Sequence, residues 1–495
     1  MVESTHIGPL WLVRKRSHNR AMRSSRHGET LPIAVDCGRL QSIAVDCSRD
    51  IDGFDPRRGT VLITAMWVIL VLAGLALVFA RSMREEALAS ANHCSAVQAQ
   101  AVAEGAAEFV LATVAAADGR AGDVLAMPCE ARPVGEGYFW ILRTDLEEDR
   151  AHSFGISDEA ARINLNSAPA EMLLNLPGMT SELADSIVDW RDPDGDVSPG
   201  GAESEYYLLL PEPYYCKNDL LETVEEVLLV NGASQEILYG EDANLNGVLD
   251  ANENDSDRSP PEDDGNGELD HGLYGYVTVY SREPNVSESG EERINVNQPG
   301  NPELGGLLRE AVGGDRYFQV MDRVRSARPF ENVLEFYFRT GLEMEEFEQV
   351  ADRLTTSDED ELVGRVNVNT APREVLLCLP GLDESDVTAL MSARGETDAK
   401  TGSVAWVAQA LPEEKAVGIG GQITTRSHQF SADIVAVSGD GRAFKRYRMV
   451  VDAAGEVPRV VYWKDRTHLG WPLDPEIMVA LRAGKSLEEE GLVSR

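Results

Sequence analysis

The hydrophobic positions fall into four textures. A continuous apolar run covers Val61–Ala80, broken by one polar group, Thr64. At 1.5 Å per residue, about 20 residues span roughly 30 Å, the thickness of a bilayer's hydrocarbon core. The Thr64 hydroxyl can bond back to its own helix. From Arg81 to Ala117 no proline occurs, and Ala87, Ala91, Cys94, Ala101, Val102, Ala106, Phe109, Val110 and Val114 recur mostly at three, four and seven residues. That is one stripe of an amphipathic helix, so the two segments predict a single rod of roughly 80 Å. The middle of the chain is helical and repetitive. The last texture alternates, in SHQFSADIVAV, AFKRYRMVVDAAG and PRVVYWKDRT with Gly-Asp-Gly at 439–441, and predicts an antiparallel meander. Phe430, Ala432 and Ile434 would share a face with Tyr447, Met449 and Val451, and GYFWILRTD at 137–145 reads as a further strand on the same helix.

The middle texture repeats. RINLN (162–166), RINVN (293–297) and RVNVN (365–369) are near-copies. Two of them open long parallel phrases, INLNSAPAEMLLNLPGMTSELADSIVDWRD and VNVNTAPREVLLCLPGLDESDVTALMSAR. Ser167 and Thr370 are placed to N-cap a short helix that Leu-Pro-Gly ends. A second helix then turns Leu183, Ile187 and Trp190, or Val387, Leu390 and Met391, inward. LETVEEVLLVNGASQEILYG (221–240) aligns with FENVLEFYFRTGLEMEEFEQVADRLTT (330–356) as helix, glycine turn, helix. Two tandem helical units are expected, bordered by the strand-like YVTVYSRE and ITTRS.

Charge changes this picture. Eighty-four acidic against 45 basic residues give a net charge of −39 in 495 residues. Such a field repels nucleic-acid backbones and draws cations. The Asn-x-Asn, Leu-Pro-Gly and helix pattern also resembles the helix-hairpin-helix of DNA-uptake and repair proteins, which makes a membrane-tethered DNA-binding protein the rival reading. The hairpins PGMTSE and PGLDES lack the second glycine, and Glu182, Asp383 and Glu384 stand where phosphate would sit. The six cysteines, at 37, 47, 94, 129, 216 and 378, form no CxxC pair, which gives a zinc ribbon or thioredoxin-type site no support, and their sparse use fits either a cytosolic protein or an exported one with at most one or two bridges. No Gly-x-Ser-x-Gly, HExxH or Walker A phrase occurs among dispersed histidines, and no enzyme or small-molecule substrate is expected.

The strongest chemical motif is GEDANLNGVLDANEND at 240–255. With Asp242 as position 1, Asn244, Asn246, Gly247, Val248, Asp250 and Glu253 occupy positions 3, 5, 6, 7, 9 and 12 of an EF-hand calcium loop. Calcium wants six or more hard oxygens. Side chains supply them at alternate positions, Val248 through its carbonyl and Glu253 through both carboxylate oxygens, while Gly247 allows the turn and Leu249 packs inward. PEDDGNGELDHG at 261–272 is a weaker echo, offering Glu262, Asp264, Asn266, Glu268 and Asp270 as a second set with no acid at position 12. The strand-like sequence downstream argues for a structural clamp, not a switch.

Arg57-Arg58-Gly59-Thr60, the apolar helix and its amphipathic continuation resemble a type IV prepilin leader, cut after Gly59 so that Thr60 becomes the mature N-terminus. A removed secretory signal is a poor match, because the apolar run is too long and VFARSMREE lacks a cleavage pattern. Most pilins carry glutamate at the fifth mature position. Here it is Thr64, and that departure resembles the K-type minor pseudopilins of type II secretion (general secretion pathway protein K). The resemblance implies an α+β pseudopilin fold, a helix laid on an antiparallel sheet with a large insert of two sterile-alpha-motif (SAM)-like units. Domains would be a leader at 1–59, helix at 60–117, strands at 118–160, a first unit with the acidic loops at 161–292, a second at 293–395, and a β region with tail at 396–495. It further implies single-pass anchoring in a bacterial inner membrane with the bulk periplasmic, a place at the filament tip, and partners in minor pseudopilins of the I and J types, the prepilin peptidase and the inner-membrane secretion platform. The leader is longer than a prepilin needs and contains the near-duplicate IAVDCGR and IAVDCSR, which suggests a start codon assigned too early or a nonfunctional extension; a cytoplasmic domain is the alternative, with few apolar residues to build its core.

Overall fold

The computed structural model describes residues 57–493 apart from 118–119, 147–149, 257 and 397–401. The leader's first 56 residues, with their near-duplicate and two cysteines, lie outside the described residues. The chain divides into two units, up to Leu77 and from Val78.

Helix α1 runs Arg57–Ala117. Its apolar first third exposes every side chain from Thr60 on and is the one described helix long and apolar enough to cross a membrane. Thr64 Oγ donates to the Val61 carbonyl at 2.9 Å, so its hydroxyl is satisfied within the helix itself.

The second unit is built on a seven-stranded sheet: β1 (Arg132–Val134), β2 (Gly137–Arg143), β3 (Ser153–Phe154), β4 (Ser157–Asp158), β5 (Gln429–Val437), β6 (Phe444–Asp452) and β7 (Arg459–Asp465), with main order β1-β2-β5-β6-β7. Every pairing in it is antiparallel. Register sets Phe430 opposite Val451, Ala432 opposite Met449 and Ile434 opposite Tyr447. The expected shared face thus forms and packs on Val102, Ala106, Val110 and Val114 of α1. Each buried valine there contributes about 1.5–3 kcal/mol.

The amphipathic stripe is shorter than its sequence suggests. Ala87, Cys94 and Ala101 are exposed, and burial starts at Ser95. The sheet reaches no further: its β5–β6 turn meets α1 where Ser95 Oγ donates to Asp440 (2.8 Å) and Gly439 N donates to Gln98 (3.2 Å).

Between β4 and β5 the helical region contains three like units where two were expected. Each Asn-x-Asn phrase forms a two-residue strand paired in parallel with a later one: Ile163–Asn164 with Val277–Thr278, Ile294–Asn295 with Leu354–Thr355, and Val366–Asn367 with Ile423–Thr424. The first asparagine of each phrase accepts from the N–H of the second, at 2.8, 2.8 and 2.9 Å. The second clasps the backbone far ahead, at Leu221, Phe330 and Thr425. The closing threonine accepts an N–H two residues on, in Thr278, Thr355 and Thr424. The third unit has its own late helices, Val407–Ala410 and Glu413–Ile419.

The expected N-caps at Ser167 and Thr370 do not form. The first helices start two residues later, after Pro169 and Pro372, with no side-chain cap. The Thr370 hydroxyl donates instead to buried Asp158 at 2.6 Å. The following helix is capped by Thr180, which accepts from Leu183 N at 3.1 Å. Among the described residues all four cysteines are free thiols.

Candidate metal centre

The acidic segment is an insertion within the first unit. It leaves helix Gln235–Tyr239 and returns at Val277. In the other two units the corresponding helix passes to its closing strand within a few residues.

Asp242 organises the first loop. Its two oxygens accept from Asn246 N and Gly247 N, both at 2.9 Å. This draws the chain into a turn that requires Gly247 at φ +72°. Asn246 Oδ1 accepts from Val248 N (2.8 Å). Asp250 Oδ2 accepts from the amides of Asn244 (2.7 Å) and Asn246 (3.1 Å). Glu253 Oε2 accepts from Asp250 N (3.0 Å), which folds position 12 back toward position 9. Leu249, expected inward, is half-buried.

Two acceptor atoms of this loop are left over. Glu253 is 1% exposed, yet its Oε1 has no hydrogen-bond partner, and neither has Asn244 Oδ1. A buried carboxylate oxygen without a donor is expensive. Burial, aided by the nearby charges of Asp242 and Asp250, pushes the Glu253 carboxyl up to about 8. Burial likewise pushes Asp242 up to about 6, against the hydrogen bonds that favour its charge. A divalent cation would supply both the missing partner and the missing charge. The donor set of carboxylate, amide and carbonyl oxygens fits calcium. Among the described residues no three His, Cys, Asp or Glu side chains gather closely enough to hold an ion alone, so a bound ion would draw on the Asn244 and Asn246 amides and the Val248 carbonyl.

The second set is arranged around a residue that motif reading passes over. Glu241 is buried, and its two oxygens accept from Asp264 N (3.0 Å) and Asp270 N (3.3 Å). It therefore ties the two acidic loops together. Asp264 accepts from Asn266 N at 2.9 Å, and Asn266 Oδ1 from Glu268 N at 2.6 Å. Glu262, Asp264, Glu268 and Asp270 border an open depression of about 570 Å³ beside Glu241.

The first loop is bolted to the sheet. Arg446 of β6 is fully buried and donates to the Asn244 and Leu245 carbonyls, each at 2.5 Å. Its Nε donates to Asp433 of β5 at 2.8 Å. Asp433 also accepts from Arg466 at 3.1 Å. Burial pushes the Asp433 carboxyl up, but the two guanidinium groups outweigh it and hold it below the usual carboxylate range. Asn246 Nδ2 reaches the Pro472 carbonyl at 3.3 Å. Glu241, Asp433 and Arg446 carry no motif. An acid flanking position 1, and an aspartate and an arginine on facing strands two positions out of register (Asp433 is opposite Arg448, Arg446 opposite Val435), are their only sequence traces.

The hairpin arginines are engaged by the chain itself. Arg191 donates to the Leu165 and Ala168 carbonyls, Arg328 to Val296 (2.6 Å) and Arg394 to Ala371 (2.9 Å). Each closes its own Asn-x-Asn turn. At the second hairpin, Asp383 and Asp386 pair with Lys415, and Glu384 with Arg373.

Residues 158–239 match the family described as Type II secretion system (T2SS), protein K. Over these residues the chain is similar to type II secretion system protein K. The match runs from the last residue of β4 through the opening strand and helices of the first Asn-x-Asn unit, up to the acidic insertion. Comparison with curated proteins gives no match. Among solved structures, a chain in the crystal structure of the GspK–GspI–GspJ complex from the enterotoxigenic Escherichia coli type 2 secretion system aligns at 13% identity and TM-score 0.33, over 78% of this chain and 98% of that one. The Gly59–Thr60 junction lies within α1, and Thr60 is exposed.

Proposed function

We propose that the chain is a minor pseudopilin of a type II secretion apparatus, a structural component for export of folded proteins. The observation that carries this reading is the protein K match over 158–239. A single membrane-length helix continuing onto an antiparallel sheet supports it. In this reading the prepilin peptidase cuts between Gly59 and Thr60, and the helix stays in the inner membrane with the bulk of the chain periplasmic. I- and J-type minor pseudopilins and the inner-membrane platform are its partners, and the helical units are SAM-like. Thr64 favours a tip position. A carboxylate in lipid costs several kcal/mol unless paired, and a subunit with none above it gains nothing from one.

Calcium is the cofactor of the same reading. Asp242, Asn244, Asn246, Val248, Asp250 and Glu253 would hold one ion; Glu262, Asp264, Asn266, Glu268 and Asp270 would hold a second, with Glu241 between. The ion's chemistry is charge neutralisation, and the Arg446 bridge passes the resulting order to the sheet. Phosphate binding by the hairpins has little support, because Arg191 and Arg394 are spent on chain carbonyls and the hairpin acids repel phosphate.

N-terminal sequencing of membrane-extracted protein tests the reading. The expected product starts at Thr60 with a methylated amine. A start near residue 1, or beyond Ala80, overturns it.

A further inference from the structure

The first helical unit displays an apolar loop that neither the filament reading nor the metal site uses. In EYYLLLPEPYYCKNDL (205–220), Leu209 is 87% and Tyr215 73% exposed, and Tyr206 and Leu208 are also exposed. Scattered surface leucines need no explanation, but a contiguous apolar segment does.

This segment is rigid at its base. Tyr207 is buried between Trp190 (5.2 Å between ring centres, edge-on) and Tyr214 (5.3 Å, stacked). The Tyr214 hydroxyl donates to the Leu229 carbonyl at 2.7 Å, and the Tyr207 hydroxyl accepts from Asn231 N at 3.1 Å. Cys216 N donates to Ser204 Oγ at 3.1 Å, closing the loop across its neck. The exposed side chains are therefore held in place before any partner arrives, which lowers the entropy cost of docking.

The charge around them has one sign. Asp194, Asp196, Glu205, Glu212 and Asp219 are exposed. The two nearby bases are engaged: Arg191 on the Leu165 and Ala168 carbonyls, Lys217 on Glu226 at 3.0 Å. An apolar centre inside a carboxylate rim is complementary to an apolar recess edged by lysine and arginine. Anionic lipid and a second copy of a chain with net charge −39 carry the wrong sign.

We propose that the loop 205–220 is a docking site for a different protein, one presenting an apolar recess bordered by basic side chains, with Leu208, Leu209 and Tyr215 as the inserted anchors. This inference stands apart from the filament reading.

The experiment places a photoreactive p-benzoylphenylalanine at position 209 of the full chain in the cells that make it, with and without Glu205→Lys/Glu212→Lys. The expected result is one discrete heteromeric adduct, cross-linked to a stretch of the partner with lysine and arginine in excess. Its yield should fall about tenfold or more with the double charge reversal, and similarly with Leu208→Ser. Near-ultraviolet circular dichroism of the Trp190–Tyr207–Tyr214 cluster reports whether each variant is folded. Should the double reversal lose that signal, Glu205→Gln/Glu212→Gln takes its place, with a fall of about threefold expected. No adduct, an adduct only with lipid or with this chain itself, or a yield indifferent to the rim charges overturns the proposal.

Discussion

Replacing Glu253 by glutamine separates the energetic cost of the bare acidic loop from its value as a metal ligand. In the folded, metal-free chain the Glu253 carboxyl is pushed up to about 8 from an ordinary 4.5. A folded-state value above the unfolded one means the folded chain binds the proton more tightly. Stability from this group is therefore greatest in acid and is lost as pH rises from about 4.5 toward 8. At pH 7 the loss is at most about 3 kcal/mol, at 1.36 kcal/mol per pH unit, and nearer 1–2 kcal/mol once solvent screening is allowed for. Glu253→Gln removes that penalty but also removes the closing ligand. We expect the metal-free variant to protect the backbone amides of 240–272 from hydrogen exchange better than the parent at pH 7.5, and no better at pH 5. Calcium titration calorimetry in buffers of different ionisation enthalpy should show the parent releasing about one proton per ion at pH 7, with affinity rising up to about tenfold per pH unit between about 6 and 8. The variant should release fewer protons and bind about 100-fold more weakly. A parent whose calcium affinity is flat from pH 6 to 8, or a variant matching it in affinity and proton release, would refute the reasoning.

Other outcomes follow from the same contacts. Arg446→Ala leaves Asp433 with one fewer cation and frees the Asn244 and Leu245 carbonyls, so it should cost about 3–5 kcal/mol in urea unfolding. Its calcium affinity should fall as well, since the loop loses its anchor on β6. Gly247→Ala forces an alanine to φ +72° with its Cβ 3.4 Å from Thr144 Cα, and should weaken calcium binding by about 1 kcal/mol, read by titration calorimetry. Asn369→Ala removes the clasp on the Thr425 carbonyl and should destabilise the third unit by about 1–2 kcal/mol, seen as faster hydrogen exchange at 366–369 and 423–425 with no change at 163–166.

Periodicity carried much of this architecture into plain view. The alternation of Phe430, Ala432 and Ile434 against Tyr447, Met449 and Val451 could be read because a strand's two faces separate at period two. The α1 stripe was overread at Ala87 and Cys94, because alanine-rich helix has the same spacing whether or not a sheet lies beneath it. The third helical unit is hidden in the sequence because its opening half matches the first while its closing half, VAWVAQALPEEKAVGIGGQITT, shares only shape with the others. The EF-hand-like spacing of 242–253 can be read from sequence, since hard-ion chemistry fixes residue types at fixed offsets, and the structure draws this segment into a turn about Asp242. What the loop leans on was not. Glu241, Arg446 and Asp433 come together only in three dimensions, with Arg446 some 200 residues from the carbonyls it holds.

The side-by-side strands that begin and end each helical unit have a consequence for how such a chain can change. A segment whose two ends emerge through a single doorway can lengthen, shrink or be exchanged while its host stays undisturbed. The calcium-type loop enlarges only the first of the three, just ahead of that doorway. New material added there is free to reach out and grip a distant strand, so growth at one threshold adds a further lashing between helices and platform that already meet at Thr370–Asp158 and Arg466–Glu225.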